Sequence, residues 1–296
     1  VAQSDPLKAA SLLASEGVGQ HNSHQVGTIV SEWVKTDQQA ALTWLESLDL
    51  RGDTQRNAIS QVISNWANED APAAGRYAMS IENDKSRQQA IDSLMRGWGN
   101  SDPAAARQWL MSTLEGESRN RSLNTLIQNI AYQDFTTALG YYQEATANLT
   151  PEVIEKTFGN ATSQIVSSWA QHDPQAASQW LMSLPEGDQR SNSIGNMVDN
   201  WGDYDINGAA EFVITLAEGK ERDQAVERLV RDVQRSDPES AFAWAASVSD
   251  DSRRESLIRN TANQWKDYDP AAARAAVVGA DISEKVRAGI LKSLEN

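Results

Sequence analysis

The sequence predicts an all-α fold: an α-solenoid of about nine stacked helical hairpins, wound as a right-handed superhelix. It is read as one repeat domain over residues 1–296, with an irregular longer repeat at 130–169. Three features lead there. A Trp followed four residues later by Asp recurs at Trp33, Trp66, Trp98, Trp169, Trp201 and Trp265, at intervals of 32 or 33 residues or near multiples of them. Apolar residues stand seven, four and three positions before these Trp, as in Ile91, Leu94, Met95 and Trp98 or Ile194, Met197, Val198 and Trp201, which makes one buried stripe on a helix. No segment alternates with period two over a useful length. A helix pair of 32 residues cannot bury its own stripes, so such units must stack on their neighbours.

The register runs through the whole chain. Val1, Ile130 and Val233 replace Trp in it, and the Asp column is complete in nine copies: Asp5, Asp37, Asp70, Asp102, Asp134, Asp173, Asp205, Asp237 and Asp269. Pro follows five of them, at Pro6, Pro103, Pro174, Pro238 and Pro270. Asp then Pro is a helix start, because the carboxylate accepts otherwise unsatisfied amides and Pro lacks only an N–H that the first turn leaves free. Seven residues after the Asp stands a second column: Leu12, Trp44, Tyr77, Trp109, Tyr141, Trp180, Phe212, Trp244 and Ala276. All ten Trp fall in these two columns. The first helix of the Asp102 unit buries Ala105, Ala106, Trp109, Leu110 and Thr113, where small Ala admits a neighbouring helix, and it stops near Glu115-Gly116. A sister unit stops at Pro185-Glu186-Gly187, and the shared QWLMS at 108–112 and 179–183 points to duplication. Between Ile130 and Trp169 the interval is 39 residues, seven longer than its neighbours, with Tyr132, Phe135, Tyr141 and Tyr142 concentrated there. Thr150-Pro151 reads as the cap of a lengthened helix through about Trp169, and the insertion marks a change of curvature or a binding feature.

Composition removes several function classes. Lys+Arg 26 against Asp+Glu 41 gives a net charge of −15 and pI about 4.6, the wrong sign for nucleic acid. Cys is absent, which excludes disulfides, thiolate metal sites and cysteine nucleophiles. No apolar run approaches a membrane span. A GxSxG elbow, an SxxK, a phosphate-binding glycine loop and HExxH are all missing, so no enzyme is expected and no cofactor is implied. Asp203-Tyr-Asp205-Ile-Asn207-Gly208 begins like a calcium loop, yet Ile214 stands where a bidentate Glu belongs, and Asp205 is already a cap in the register. His21 and His24 lack a third metal ligand, and no metal site is expected.

The pattern WxxxDPxAAxxWLxxLPxGxxRxxxI resembles the short HEAT-like and tetratricopeptide-like repeats of bacterial proteins, in particular the Trp-rich variety of uncharacterised envelope proteins. The resemblance spans essentially the whole chain and implies a binding scaffold. A 32-residue period and Pro at the start of the first helix depart from the tetratricopeptide pattern, which leaves the two families as alternatives.

Three sets of side chains are candidates for function. Arg56, Arg87, Arg119, Arg190, Arg222 and Arg254 sit at the start of the second helices and oppose the helix dipole there. They are expected to form a structural ladder with Asp102, Asp173, Asp205, Asp237 and Asp269 or with loop carbonyls. An anion-binding stripe is the alternative. Gln61 with Asn65, Thr125 with Asn129, Gln164 with Ser168, Asn196 with Asn200, and Asn260 with Gln264 are i, i+4 pairs on one helical face. Stacked, they would line a polar groove for a peptide backbone or glycan, or else bond between repeats. Tyr141 and Tyr142 would stand near the middle of that groove. The expected function is therefore a non-catalytic scaffold binding a protein, peptide or glycan. The runners-up are a self-associating structural protein, since Leu291 and Leu294 lack a following repeat, and an α/α-toroid carbohydrate enzyme using carboxylates such as Asp267 and Asp269. Val1 in place of Met and the absence of Cys favour an extracytoplasmic, processed protein, with a cytoplasmic one as the alternative.

Overall fold

The computed structural model describes residues 5–16, 23–48 and 52–295; Val1 and His21 of the sequence readings lie outside these. The described residues contain no strand and form 17 helices. These are α1 (Pro6–Glu16), α2 (Ser23–Val34), α3 (Gln38–Ser47), α4 (Gly52–Ser80), α5 (Asp84–Ser101), α6 (Pro103–Thr113), α7 (Gly116–Ala131), α8 (Phe135–Thr146) and α9 (Pro151–Ala170), then α10 (Pro174–Ser183), α11 (Asp188–Gly202), α12 (Ile206–Thr215), α13 (Lys220–Val233), α14 (Pro238–Ala246), α15 (Asp251–Trp265), α16 (Pro270–Gly279) and α17 (Glu284–Leu294). α4 is two helices run together, because at Asp70 the backbone leaves the helical region (φ −145°, ψ 78°) and separates 52–69 from 71–80. Among the described residues no helix is long and apolar enough to cross a membrane.

The chain divides into two compact units, residues 1–149 and 150–296, and the division falls inside the irregular repeat. Within the first unit the second helices α2, α4 and α5 pack in succession, followed by α7 on α5. In the second unit α9, α11 and α13 do the same, and α15 packs mainly on α14. The buried apolar residues follow the predicted stripes: Val62, Ile63, Ile91, Leu94 and Leu126 in the first unit, and Phe158, Ile165, Ile194, Met197 and Leu229 in the second.

One Asp links the end of each second helix to the start of the next first helix. The backbone N–H of Asp37, Asp102, Asp134, Asp173, Asp205, Asp237 and Asp269 donates to the carbonyl four residues back at 2.8–2.9 Å, closing the last turn of the helix that ends there. The carboxylate of the same residue opens the next helix. All nine Asp of the column accept the backbone N–H three residues on, at 2.9–3.0 Å. Where measured, these Asp share one backbone conformation, φ between −143° and −151° and ψ between 78° and 89°. That is the non-helical geometry an N-cap requires. Asp205 is among them, so the calcium-like stretch is a helix cap.

Two further columns hold the hinge. Four residues after the Asp the chain carries Ala in every unit: Ala9, Ala41, Ala74, Ala106, Ala138, Ala177, Ala209, Ala241 and Ala273, buried at 8% for Ala9 and 0% for the others. Nothing larger than a methyl fills that site. The two aromatic columns meet across the hinge: Trp33 with Trp44, Trp66 with Tyr77, Trp98 with Trp109, Trp169 with Trp180 and Trp201 with Phe212 all have ring centroids 6.1–6.2 Å apart. Such pairs add about 0.5–1.5 kcal/mol beyond burial. Where Ala276 replaces the second aromatic, Trp265 packs instead on Phe242 of α14, at 6.0 Å. Between units of the first half, Gly97 sets how near α5 comes to α4, since a Cβ there would lie 2.8 Å from the Ser64 carbonyl oxygen.

The cap predicts a specific mutational signature. Asp102→Ala should cost about 1 kcal/mol in urea unfolding, whereas Asp102→Asn, which caps equally well without charge, should cost a few tenths. An equal loss in both variants would assign the stabilisation to the charge instead.

Candidate functional site

The uncharged pairs on the second helices are mostly committed inside the fold. Asn65 donates to Ser31 Oγ at 2.8 Å, and Gln61 donates to Asn65 Oδ1 at 3.1 Å. Asn129 donates to the Arg96 carbonyl at 3.0 Å and to Asn100 Oδ1 at 2.9 Å, and Asn200 reaches Ser167 Oγ at 3.4 Å. Thr125 bonds back to the Arg121 carbonyl, and Gln164 reaches Ser168, which is buried. Asn196 is half-buried, and Asn260 and Gln264 are exposed. The reason for Asn in these helix interiors is therefore bonding between adjacent second helices at Asn65, Asn129 and Asn200. Tyr142 is corrected outright as a stacking platform: it is 3% exposed, turned into the core. One residue earlier on α8, Tyr141 points elsewhere and is half-exposed.

Of the two kinds of partner expected for the Arg column, the loop carbonyls are used and the Asp of the cap column are not. None of Arg87, Arg119, Arg190, Arg222 and Arg254 bonds an Asp of the cap column, whose carboxylates are held by their own helices. The Arg reach the preceding loop instead. Arg87 donates to the Ile81 carbonyl, Arg190 to Leu184 and Arg254 to Val248, each six residues back and at 2.8–2.9 Å. These carbonyls close the C-terminus of the previous helix, which carries partial negative charge and lacks intrahelical partners. That attraction offsets the unfavourable place of a cation at a helix start.

What stands three residues before each Arg decides its other partner. Arg87 pairs with Asp84, Arg254 with Asp251, and Arg287, which extends the column, with Glu284. Gly occupies that place before Arg119, Arg190 and Arg222, and Gly116 (φ +59°) and Gly219 (φ +135°) hold left-handed backbone that disfavours a side chain. These three Arg have no acid at that place, although Arg190 also lies 3.4 Å from Glu186 of its own loop. Arg190 forms a two-pronged pair with Glu221 of α13, Nε and Nη2 each 2.8 Å from a carboxylate oxygen, and this holds its guanidinium above the ordinary value. Arg222 donates to the Ser247 carbonyl at 2.8 Å. The Arg119 guanidinium makes no hydrogen bond among the described residues.

Arg119 opens instead onto a cavity of about 270 Å³ between α6, α7 and α8, lined by Met111, Arg107, Asn120, Leu123, Tyr141 and Asn148 among others. Arg107 lies 5.0 Å from the centroid of the Tyr141 ring and pairs with Glu144, another lining residue. Burial, first, pushes the Tyr141 phenol above its usual range, with the Arg107 charge opposing. The Asn120 and Asn148 amides and the Tyr141 hydroxyl make no hydrogen bond among the described residues, so four polar groups around one small cavity are free to bind.

A second feature escaped the sequence reading. Nine residues after the Asp, the first helices expose apolar side chains in one register: Met79 and Met111 in the first unit at 37% and 44%, and Met182, Ile214 and Val278 in the second at 38%, 66% and 56%. Met111 is also a wall of the cavity. The signal was available, because the same spacing that finds the caps finds this column.

In the second unit, Asp232 is the one strongly displaced acid among the described residues. Burial, first, and then the Asp199 and Asp203 carboxylates push its pKa up to about 6, against Arg231 and Arg228. Its Oδ2 is shielded without a hydrogen-bond partner. Among the described residues no group of three or more His, Asp or Glu could hold an ion.

Two outcomes follow. Arg190→Gln strands Glu221 and should destabilise by about 1–3 kcal/mol, while Arg119→Gln should change stability by less than about 0.5 kcal/mol, both read in urea. Because folding raises the Asp232 pKa, the folded state binds the proton more tightly, and stability declines as pH rises from about 4 to about 6. Asp232→Asn should therefore raise stability by about 1 kcal/mol at pH 7.5, after allowing for solvent screening, and give no gain at pH 4. No protein-family model matches the chain, and neither a curated protein nor a solved structure matches it, so this site stands on its own geometry.

Proposed function

We propose that the chain is a non-catalytic helical-repeat scaffold, an α-solenoid of hairpins, that binds a peptide segment of a partner protein at the cavity between α6, α7 and α8. The observation that carries the reading is the set of uncommitted hydrogen-bonding groups, Arg119, Asn120, Asn148 and the Tyr141 hydroxyl, gathered beside exposed Met111. Amide side chains match a peptide backbone, which offers both donor and acceptor, and the Met111–Leu123 wall takes an apolar side chain. Methionine suits such a wall, since its unbranched, polarizable chain adapts to different partners. Sequential packing of near neighbours within each unit supports the solenoid, and the exposed apolar register on the first helices supports a partner-facing side.

A phage-displayed random peptide library panned on the protein tests this. Enriched peptides should lose affinity about tenfold or more on Met111→Asp, with far-UV circular dichroism unchanged. Peptides that bind Met111→Asp and the parent equally would place the site elsewhere.

A further inference from the structure

We infer that the cavity at Arg119 is a carboxylate receptor: it takes the free C-terminus or an acidic side chain of the bound peptide, with the adjoining apolar residue against Met111 and Leu123. The inference rests on the peptide-scaffold reading and adds the chemistry of the ligand group.

The argument is an internal comparison. Every other Arg of the column whose bonds are described above has an oxygen partner, and in Arg87, Arg190, Arg254 and Arg287 a carboxylate is among them. Arg190 and Arg119 both have Gly three residues before them and both face the gap toward the next hairpin. In the second unit Glu221 enters that gap and engages Arg190 through two nitrogens, the planar fork-to-carboxylate geometry that guanidinium groups favour. Among the described residues no carboxylate is bonded to the Arg119 guanidinium. Glu144, the acid lining the cavity, is paired with Arg107. The lining thus carries Arg107 and Arg119 against Glu144, a local excess of one positive charge in a chain of net charge −15. The equivalent cleft around Arg190 has Glu186, Asp188, Glu218 and Glu221 against Arg190 and Lys220, and there the guanidinium is already engaged by its own acid. Glu221 is therefore the built-in picture of the ligand that Arg119 lacks. Asn120 and Asn148 are placed to hold the peptide group next to that carboxylate, and the cavity volume accommodates a residue or two.

Three synthetic hexapeptide libraries on the full chain test the inference. The first has free C-termini and no Asp or Glu, the second has amidated C-termini with Asp and Glu allowed, and the third has amidated C-termini without acids. Retention of the first library identifies a terminal carboxylate, and retention of the second a side-chain carboxylate. In either case Arg119→Gln should weaken the retained peptides about tenfold or more, while Arg190→Gln, checked for folding by circular dichroism, should not. Equal retention of the third library, or undiminished binding to Arg119→Gln, overturns the carboxylate inference and leaves the peptide scaffold standing. Retention of none of the three overturns both. Because Arg119 has no internal partner to lose, a thermal midpoint equal to that of the parent shows that any loss of binding in Arg119→Gln comes from the site.

Discussion

The structure hangs on a single residue type used twice. At seven junctions the backbone N–H of an Asp closes one helix and its carboxylate opens the next, so a single residue carries a hydrogen bond for both helix ends. The Trp four residues before and the aromatic seven residues after are thereby carried into contact, and the Ala four residues after is drawn into the crowded angle between the helices. Remove the cap geometry and the spacing of both columns loses its purpose. Where an aromatic is missing, as at Ala276, the hinge survives and its Trp finds another ring, which ranks the cap above the stacking.

The same backbone economy shapes the Arg column. These side chains begin helices where a cation is unwelcome, and Arg87, Arg190, Arg254 and Arg287 are kept there by carbonyls at the ends of the preceding helices. The loop conformation then acts on chemistry at a distance. A left-handed Gly at 116 or 219 keeps an acid out of the place three residues before the Arg. One residue type in one register thus meets different surroundings, set by whether a neighbouring hairpin supplies an oxygen.

Much of this was legible in the linear sequence. Helix starts, the two aromatic columns, the division into hairpins and the irregularity at 130–169 all follow from local rules that need no neighbour: capping, periodicity and turn chemistry. The pairing of Trp98 with Trp109, or of Asn129 with Asn100, was not readable, because it depends on the angle at which helices meet. The polar pairs looked like a groove since a sequence shows that Asn is in a helix without showing what lies opposite. Tyr141 and Tyr142 are neighbours with opposite environments, and only packing tells which is which. The exposed apolar register at Met111 and Met182 was present in the same spacing but hidden by the assumption that apolar columns point inward.

The hinge also bears on how such a chain acquires its shape in time. The Trp, the Asp and the second aromatic lie within twelve consecutive residues, so a hairpin junction forms from contacts that close short loops and involve little loss of chain entropy. Folding governed by such local contacts is fast, and it can nucleate at several junctions independently and spread to neighbours. An array with many equivalent starting points tolerates damage at any one of them. It also grows by copying a whole hairpin, as the identical QWLMS segments at 108–112 and 179–183 suggest.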